Sequence, residues 1–417
     1  MKNFWENVKL GNISSMQYGF TASAKEKEVG PKFLRITDIV KDSINWSTVP
    51  YCKINNTNYK KYKIEEGDIV IARTGATAGY AKLIKNPPDA VFASYLIRVK
   101  FSQKCIPGFG GKLIESNIFK NFIKQNITGS AQPHANAPIL KKFKFLLPPL
   151  KIQGKIASIL SAYDELIEKN NRRIEILEEM AETIYKEWFV HFRFPGHEKV
   201  EMVDSELGKI PEDWEVKPLL SIAKQISRGS SLKYVNEGGV PVLNQRCIRN
   251  GRIEFEAIQY AEELPKKSER YYLKMGDILI NSMGVGTLGR VARNLNVKNK
   301  MIIHNCITFI RTNNDIIDKN ILFYRIKDNK KYFEKISIGA TGQTSLKLTD
   351  IKALKILIPP LEIQSRVTSF FNNISRLIGI YQEKNNDLKK TRDLLLPKLI
   401  SGKIDVSDLD IKIEEKK

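Results

Sequence analysis

Two stretches of the chain carry the same heptad pattern of apolar positions. In residues 156–188 apolar side chains recur at alternating steps of four and three, with one polar interruption at Asn170. The pattern returns 211 residues later, in residues 367–399, with Asn385 and Arg392 as its polar positions. Such a pattern is typical of a long helix that packs along a partner helix. The sequence therefore predicts two long helices in one chain.

The two heptad patterns also predict how these helices pair. In an antiparallel pair with aligned midpoints, facing residue numbers sum to 555, so Asn170 faces Asn385 and Tyr163 faces Arg392. A buried asparagine is costly unless it is hydrogen-bonded, so a facing pair fixes the register. A tyrosine ring and a guanidinium group can stack. We predict an antiparallel coiled coil with these four register residues; the alternative is two helices that pack on separate cores.

The repeat extends through nearly the whole chain. EEGDIVIARTG, which contains Asp68, recurs as KMGDILINSMG, which contains Asp277, and LLPPLKIQ recurs as LIPPLEIQ. The offset stays between 209 and 211 residues, which is far longer than the period of solenoid repeats. The chain is therefore two copies of one unit, in which a globular part precedes a long helix.

Each globular part mixes strand and helix patterns. GDIVIA and GDILIN predict short buried strands, and the segments from Ala90 and Met301 are rich in β-branched and aromatic residues. The segments from Lys112 and Lys319 have helical spacing. We predict an α+β fold with two similar α/β domains, each built on a curved mixed sheet. Two long helices in an antiparallel coiled coil separate the domains, with a pseudo-twofold internal repeat.

Proline and glycine mark the predicted boundaries. Proline pairs precede both long helices, where proline suits a helix start, and Pro195-Gly196 follows the first. Pro397 is expected to kink or end the second helix, with Gly402 as a plausible stop. The predicted segments are a first domain at 1–147, a first long helix at 148–194, a linker at 195–206, a second domain at 207–358, a second long helix at 359–404 and a tail at 405–417.

The charge balance favours a polyanionic partner. The formal net charge is +22, from 68 basic and 46 acidic residues, and nucleic acid is the usual partner of such a surplus. Four scattered cysteines without C-x-x-C spacing fit a reducing cytoplasm. No stretch resembles a signal sequence or a membrane span. We expect a soluble cytoplasmic protein that binds nucleic acid and no membrane.

The sequence lacks the motifs of catalysis. GVGTLG from Gly284 matches a nucleotide-binding pattern, but no acidic residue lies between Ile278 and Asn314, and the first copy breaks the pattern. The turn at residues 86–89 lacks the aromatic residue that amino-methyltransferases stack on a flipped base. The four histidines have no metal-binding spacing. We predict no catalytic residue, no metal site and no cofactor bound by this chain.

The loops after Asp68 and Asp277 are the best candidates for contact with nucleic acid. Both lack acidic residues, which suits approach to phosphates, and arginine, asparagine and glutamine can read base edges. The loops differ between the copies, as is required if the two domains recognise different DNA sequences. For any single residue, an ordinary solvated turn explains the pattern equally well. The candidate DNA-binding residues are Arg35, Arg73, Thr74, Lys82 and Gln132 in the first copy, and Arg246, Asn281, Ser282, Arg290, Arg293, Gln343 and Thr344 in the second.

Taken together, these motifs resemble the specificity subunit of a type I restriction-modification enzyme. The resemblance lies in LGKIPEDWEVKPL from Leu207, the GDIV and GDIL turns, the two PPL motifs, the helix ending IYKEWF and the closing LLLPKLISGKI. It covers nearly all of residues 1–404. It implies that each globular part is a target recognition domain for one half of a bipartite double-stranded DNA site, with the helices as the spacer.

The resemblance also implies that the chain is not itself an enzyme. Two modification subunits would dock on it, carry S-adenosylmethionine and methylate adenine, and restriction subunits would add translocation and cleavage with ATP and Mg²⁺. One alternative is a modification-only specificity subunit without a restriction partner. Others are a coiled-coil scaffold that binds proteins, and a stand-alone methyltransferase.

Overall fold

The computed structural model describes residues 5–40, 43–127, 134–264, 266–284, 286–295, 300–337 and 345–411. Its contacts divide the chain into two compact units. The first contains Met1–Lys169 and Asn385–Lys417, and the second contains Asn170–Lys384. Each unit therefore holds one globular domain and one half of each long helix.

The first unit is built on a four-stranded antiparallel sheet. Its strands, in spatial order, are Ser14–Tyr18, Leu96–Phe101, Ile69–Ala72 and Ala81–Leu83. The strand of the GDIVIA motif is buried at all four positions, as its apolar run predicts. Two further pairs are Glu6–Lys9 with Lys144–Leu147, antiparallel, and Lys32–Leu34 with Ala90–Phe92, parallel.

Short helices surround this sheet and close its core against the long helices. They are Leu10–Ile13, Ile36–Ile39, Asn56–Tyr62, Pro107–Glu115, Asn117–Asn126, Ala137–Lys141 and the 3₁₀ turn Gly75–Thr77. The core contains Phe109 and Phe119 from these helices together with Ile156, Leu160 and Leu399 from the long helices.

The second unit repeats the plan with a larger mixed sheet. Its antiparallel sheet has the order Ala223–Arg228, Ile307–Thr312, Ile278–Asn281 and Val291–Arg293. The mixed sheet has the order Tyr234–Val235, Gln259–Ala261, Val240–Leu243 and Ile302–Ile303, with the last two strands parallel. Further antiparallel pairs are Glu215–Pro218 with Lys355–Ile358, Ile248–Arg249 with Arg252–Ile253, and Met202–Ser205 with Gly208–Pro211. The helices are Leu219–Ile222, Lys319–Asp328, Lys330–Ile336 and Leu348–Ala353, with 3₁₀ turns at His197–Lys199, Gln245–Cys247, Phe255–Ala257 and Lys266–Tyr271.

The predicted linker and two predicted strands differ from the structure. The segment at 195–206 was expected to be a plain linker, but Met202–Ser205 forms a hairpin strand with Gly208–Pro211. The strand predicted from Ala90 is interrupted after Phe92, because the N–H of Ser94 donates to the carbonyl of Phe20 and turns the chain into the next sheet. The strand predicted from Met301 is interrupted after Ile303 in the same way.

The two long helices are Leu150–Phe189 and Leu361–Ile400, each of 40 residues. In the first unit their halves run antiparallel, because Ile156 shares a core with Leu399 while Asp164 pairs with Arg392 at 2.6 Å. In the second unit the guanidinium of Arg173 lies 5.5 Å from the ring of Tyr381. No helix in the described ranges is long and apolar enough to span a membrane.

The second long helix does not end at Pro397, which the sequence made a candidate for its end. It continues for three residues past Pro397 and ends at Ile400, which is near the proline, as the sequence predicts. Gly402 then adopts φ of 65°, and its N–H donates to the carbonyl of Leu399 at 3.2 Å. A left-handed glycine at this place is a common helix end.

Candidate DNA-binding surface

The aspartate of the first GD turn is part of the framework that holds the loops. The carboxylate of Asp68 is 2% exposed, accepts the N–H of Glu65 at 2.9 Å and lies 3.4 Å from Nη1 of Arg98. Arg98 also donates to the carbonyl of Lys63 at 2.6 Å and to Oε1 of Gln17. Burial raises the pKa of Asp68, and the N–H of Glu65 and the charge of Arg98 oppose that shift. This aspartate therefore has a structural role.

The second domain makes the same contact with a residue from a different strand position. Nε of Arg311 lies 3.0 Å from Oδ1 of Asp277, and Nη1 donates to Oε1 of Gln225 at 2.7 Å. Burial likewise raises the pKa of Asp277. Ile69 pairs with Val99, whereas Ile278 pairs with Ile310, so Arg311 occupies the position of Lys100 and not of Arg98. The contact is common to both copies although the contributing position moved.

The glutamine of each PPL motif joins its long helix to its domain. Nε2 of Gln153 donates to the carbonyls of Pro148 and Lys104 at 2.8 and 2.9 Å, and Oε1 accepts the N–H of Ile106 at 2.8 Å. Gln364 makes the equivalent three bonds, to Pro359, Ile316 and Asp318, at 2.8, 3.0 and 2.7 Å. The repeated PPL motif contains both glutamines in the sequence, but only the structure shows which backbone groups they bond.

Arg73 lies at the surface of the first domain on an aromatic side chain. Its guanidinium is 5.0 Å from the ring of Tyr18, and Nη1 donates to the carbonyl of Ser94 at 3.5 Å. Its Nε is buried and has no hydrogen-bond partner among the described residues. Tyr18 and the neighbouring Tyr95, which is 61% exposed, were not among the predicted residues. Exposed aromatic side chains beside an arginine suit contact with a nucleic acid.

The other described candidates of the first domain have different surroundings. Thr74 is half-buried and forms a β-bridge with His134, and Lys82 is half-buried on the strand that follows. Arg35 lies at the start of the helix Ile36–Ile39, where its Nε is 3.1 Å from the carboxylate of Asp38. The structure therefore uses Arg35 in a local ion pair and leaves Thr74 and Lys82 half-buried.

Two candidates of the second loop are buried, which contradicts a direct contact with DNA. Asn281 is 0% exposed, and its Nδ2 donates to the carbonyl of Gln245 at 2.9 Å. The hydroxyls of Ser282 and Thr308 lie 2.6 Å apart, also fully buried. Both predictions fail because Asn281 is the last residue of the buried strand Ile278–Asn281, and the chain is still buried at Ser282. Asn281 instead supports the turn that carries Arg246.

Arg293 is also buried, so the predicted contact with DNA is wrong. It is 7% exposed, and Nη2 donates to the hydroxyl of Ser375 at 2.8 Å while Nη1 donates to Asn320. Its guanidinium lies 4.7 Å from the ring of Phe323. Burial lowers the pKa of Arg293 to about 10, so it keeps its charge at neutral pH. This side chain joins the second domain to the second long helix.

The remaining two arginines stay at the surface. Arg290 is half-buried and donates to the carbonyls of Gly286 and Ile248 at 2.8 and 3.4 Å, so it shapes its own loop. Arg246 is exposed, and its backbone N–H donates to Oδ1 of Asn244 at 2.9 Å. The glycine-rich loop from Gly284 joins two antiparallel strands and not a strand and a helix, unlike a nucleotide-binding loop. Gln132, Gln343 and Thr344 lie outside the described residues.

The predicted register residues can be placed within each unit. Asn170 and Asn385 are both buried, and Oδ1 of Asn170 accepts a bond from Arg173 at 3.2 Å. Arg392 does not use the ring of Tyr163 as predicted. Its Nη1 lies 2.6 Å from Asp164, because the carboxylate one position along offers a charged partner. The facing of the two asparagines stays a prediction.

Chemistry that would require a metal has no visible site in the described ranges. No group of three histidine, cysteine, aspartate or glutamate side chains there is arranged to hold an ion. The four cysteines are buried and unpaired, and burial raises the pKa of Cys52 to about 11.

Known proteins share this sequence pattern and fold. The family model of the type I restriction modification DNA specificity domain matches residues 3–179 and again 211–390. The type I restriction enzyme MjaVIII specificity subunit of Methanocaldococcus jannaschii is 28% identical over 420 residues, which cover 97% of this chain and 94% of that protein. The HindI specificity subunit of Haemophilus influenzae is 22% identical over 485 residues, with 96% and 99% covered.

A solved structure shows the same fold. The S subunit of the type I restriction-modification system from M. genitalium superposes with a TM-score of 0.54 at 16% identity, and covers 95% of this chain and 96% of that one. The family model matches most of the chain, once in each copy. The chain therefore belongs to the type I restriction-modification specificity subunits, which recognise DNA and are not catalytic.

Proposed function

We propose that this chain directs two modification subunits to a bipartite site on double-stranded DNA, and that each domain reads one half-site. The observation that carries the proposal is a shared framework with different surface loops. Both copies contain the buried aspartate–arginine contact and the glutamine at the helix start. At equivalent loop positions, however, the first copy exposes part of Arg73 and the second buries Ser282. Different loops on one scaffold suit two different base sequences.

The chemistry of modification and cleavage would come from partner subunits. We propose that modification subunits carry S-adenosylmethionine, that restriction subunits supply ATP- and Mg²⁺-dependent cleavage, and that this chain binds none of these groups. Relatives named as subunits of type I restriction enzymes support a restriction partner. The assembly would act in the cytoplasm, and the 40-residue helices, each about 60 Å long, would set the spacer between half-sites.

Exchange of domains tests the half-site assignment. In a chain whose residues 207–358 are replaced by a second copy of residues 1–147, both domains carry the same loops. The expected methylated motif is an inverted repeat of one wild-type half-site around a spacer, because antiparallel pairing of the long helices would relate the two copies by a pseudo-twofold axis. A motif that keeps both original halves, or loses both, would contradict the assignment.

A further inference from the structure

We propose that the first domain carries a sequence-neutral phosphate-binding face formed by Lys53, Lys60 and Lys61. This face presupposes the DNA-binding function proposed above and adds the place where the backbone of the duplex is held. Between Ser43 and Ile64 the chain has four lysines and no acidic residue. An uninterrupted basic stretch of this kind produces a positive surface.

Lys60 and Lys61 lie on the helix Asn56–Tyr62, which offers further hydrogen-bond donors, and Lys53 precedes this helix by three residues. All three are exposed, and none forms an ion pair with a carboxylate in the described part of the chain. An open depression of about 570 Å³ is lined by Asn56, Thr57, Lys60 and Lys61. Ammonium, amide and hydroxyl groups are the side-chain donors that proteins present to DNA phosphates.

The helix Asn56–Tyr62 is fixed to the sheet by the buried framework. Nη2 of Arg98 donates to the carbonyl of Lys61 at 3.2 Å, and Nε2 of Gln17 donates to the same carbonyl at 3.2 Å. The ammonium of Lys61 lies 5.3 Å from the ring of Tyr62. The backbone that carries Lys61 is therefore held in place before a duplex binds.

Contacts within the first domain connect this face to the Arg73 loop. The rings of Tyr62 and Phe20 are 5.4 Å apart, and the carbonyl of Phe20 accepts the N–H of Ser94 at 2.8 Å. The carbonyl of Ser94 in turn accepts the guanidinium of Arg73 at 3.5 Å. These contacts join the helix that carries Lys60 and Lys61 to the Arg73 loop within one domain.

The corresponding stretch of the second domain has a different charge balance. Residues 244–273 contain six basic residues but also five acidic ones, whereas residues 43–64 contain no acidic residue. Its basic side chains are partly neutralised, since Arg249 lies 3.5 Å from Glu254 and Arg252 lies 2.6 Å from Glu178. The first domain would therefore contribute more of the salt-dependent affinity than the second.

The chemistry of the face favours phosphate over bases. Lysine acts as a point charge, whereas arginine, asparagine and glutamine are the residues that form bidentate hydrogen bonds to base edges. The ring of Tyr62 is already covered by Phe20 and Lys61, so it does not offer a stacking surface. An acidic protein surface is the other possible occupant, and the test separates the two.

The test compares two triple variants of the full chain in complex with its modification subunits. The variant is Lys53→Gln/Lys60→Gln/Lys61→Gln, and the control Lys104→Gln/Lys124→Gln/Lys151→Gln changes three exposed lysines elsewhere in the same unit. Affinity for a labelled duplex without the target motif is measured from about 50 to about 250 mM salt. The slope of log K against log salt should become shallower by about 2 to 3 in the variant, ~0.9 per lost phosphate contact, and stay unchanged in the control. The methylated motif should be the same in all three complexes.

Other outcomes overturn the proposal in distinct ways. An unchanged slope in the variant would mean that these lysines do not contact phosphate. A changed motif would mean that they read bases, and loss of a modification subunit on size-exclusion chromatography would identify a protein partner at this face. If the wild-type complex neither binds DNA in a salt-dependent manner nor methylates a motif, the proposed function fails and not this inference alone.

Discussion

Arginine and backbone N–H groups surround the buried carboxylates of Asp68 and Asp277. Burial raises the pKa of both, so the ion pairs offset the cost of desolvation only in part. The main effect of these contacts is to fix the position of the loop that follows each aspartate. Each guanidinium joins the GD turn, an outer strand and the preceding helical turn, and so places the loop that follows.

Arg246 and Arg293 provide a matched pair of arginines in one domain. Arg246→Ala should weaken DNA binding by about 1–3 kcal/mol and leave the melting temperature unchanged, because its guanidinium is exposed. Arg293→Met should lower the stability of the unit by about 2–4 kcal/mol, because it leaves Asn320 and Ser375 without their buried donor. Thermal unfolding and DNA titration of both variants measure this. Equal melting temperatures for the two variants would contradict the assignment.

His304 should make the stability of the second unit depend on pH. It is half-buried, stacks on Tyr234 and accepts the N–H of Cys306, and burial lowers its pKa below 6.5. As the pH falls, His304 therefore binds a proton in the unfolded chain before it does so in the folded one. The contribution of neutral His304 to the free energy of unfolding is complete above about pH 6.5 and is lost as the pH falls towards the folded-state pKa.

The variant His304→Asn keeps an acceptor but cannot take up a proton. When the pH is lowered from about 7.5 to about 5.5, the melting temperature of the wild type should fall further than that of this variant. The same loss in both proteins would show that His304 is not the titrating group.

Residue polarity predicted the loops but not which side chains face solvent. Asn281 ends a buried strand and Ser282 follows it directly, and the sequence offers no sign that these two polar side chains are buried. Their partners, Gln245 and Thr308, lie 36 and 26 residues away, so only the folded sheet shows that the bonds exist. Arg246 is exposed, and the turn that carries it is supported by the hydrogen bond from Asn281 to the carbonyl of Gln245.

At the scale of elements, the glutamine at each helix start should be the strongest single attachment of a domain to its helix. Gln364→Met should destabilise the second unit by about 2–4 kcal/mol, since it leaves three buried backbone groups without partners. Gln103→Met changes an exposed glutamine and serves as the control. Urea unfolding measures both, and a change below about 0.5 kcal/mol for Gln364→Met would contradict this role.

The length of the helices should determine the distance between half-sites. Deletion of residues 171–177 together with residues 378–384 removes one heptad from each helix and both members of the Arg173–Tyr381 contact. The helices become about 10 Å shorter, so the preferred spacer should shorten by up to about three base pairs. Mapping of the methylated motif measures the spacer, and an unchanged spacer would contradict the idea. Deletion from one helix alone should destroy the pairing without producing a new spacing.

Helices and strands could be predicted from the sequence where a long, regular pattern of apolar residues specified them. Forty-residue helices and the buried GDIVIA and GDILIN strands follow from heptad spacing and continuous apolar runs. The hairpin Met202–Ser205 with Gly208–Pro211 was missed, because half of its strand residues are exposed and no apolar run marks its strands. The end of the second long helix depended on Gly402 and not on Pro397, and local sequence made both plausible.

At the scale of the whole molecule, the duplication explains how one chain can recognise two different sequences. The offset of 209–211 residues was readable directly because the framework motifs need particular residues, such as the glycine and aspartate of each GD turn. The loops diverged because nothing in the framework constrains them. The same divergence hides the base preferences from the sequence.

The most direct test is to map methylated adenines across the genome of cells that contain this chain with its modification subunits, and of matched cells that lack only this chain. A bipartite motif with two different halves and a fixed spacer should be methylated in the first cells and unmethylated in the second. If no motif depends on the chain, or if the dependent motif is a single uninterrupted sequence, the assignment of one half-site to each domain is wrong.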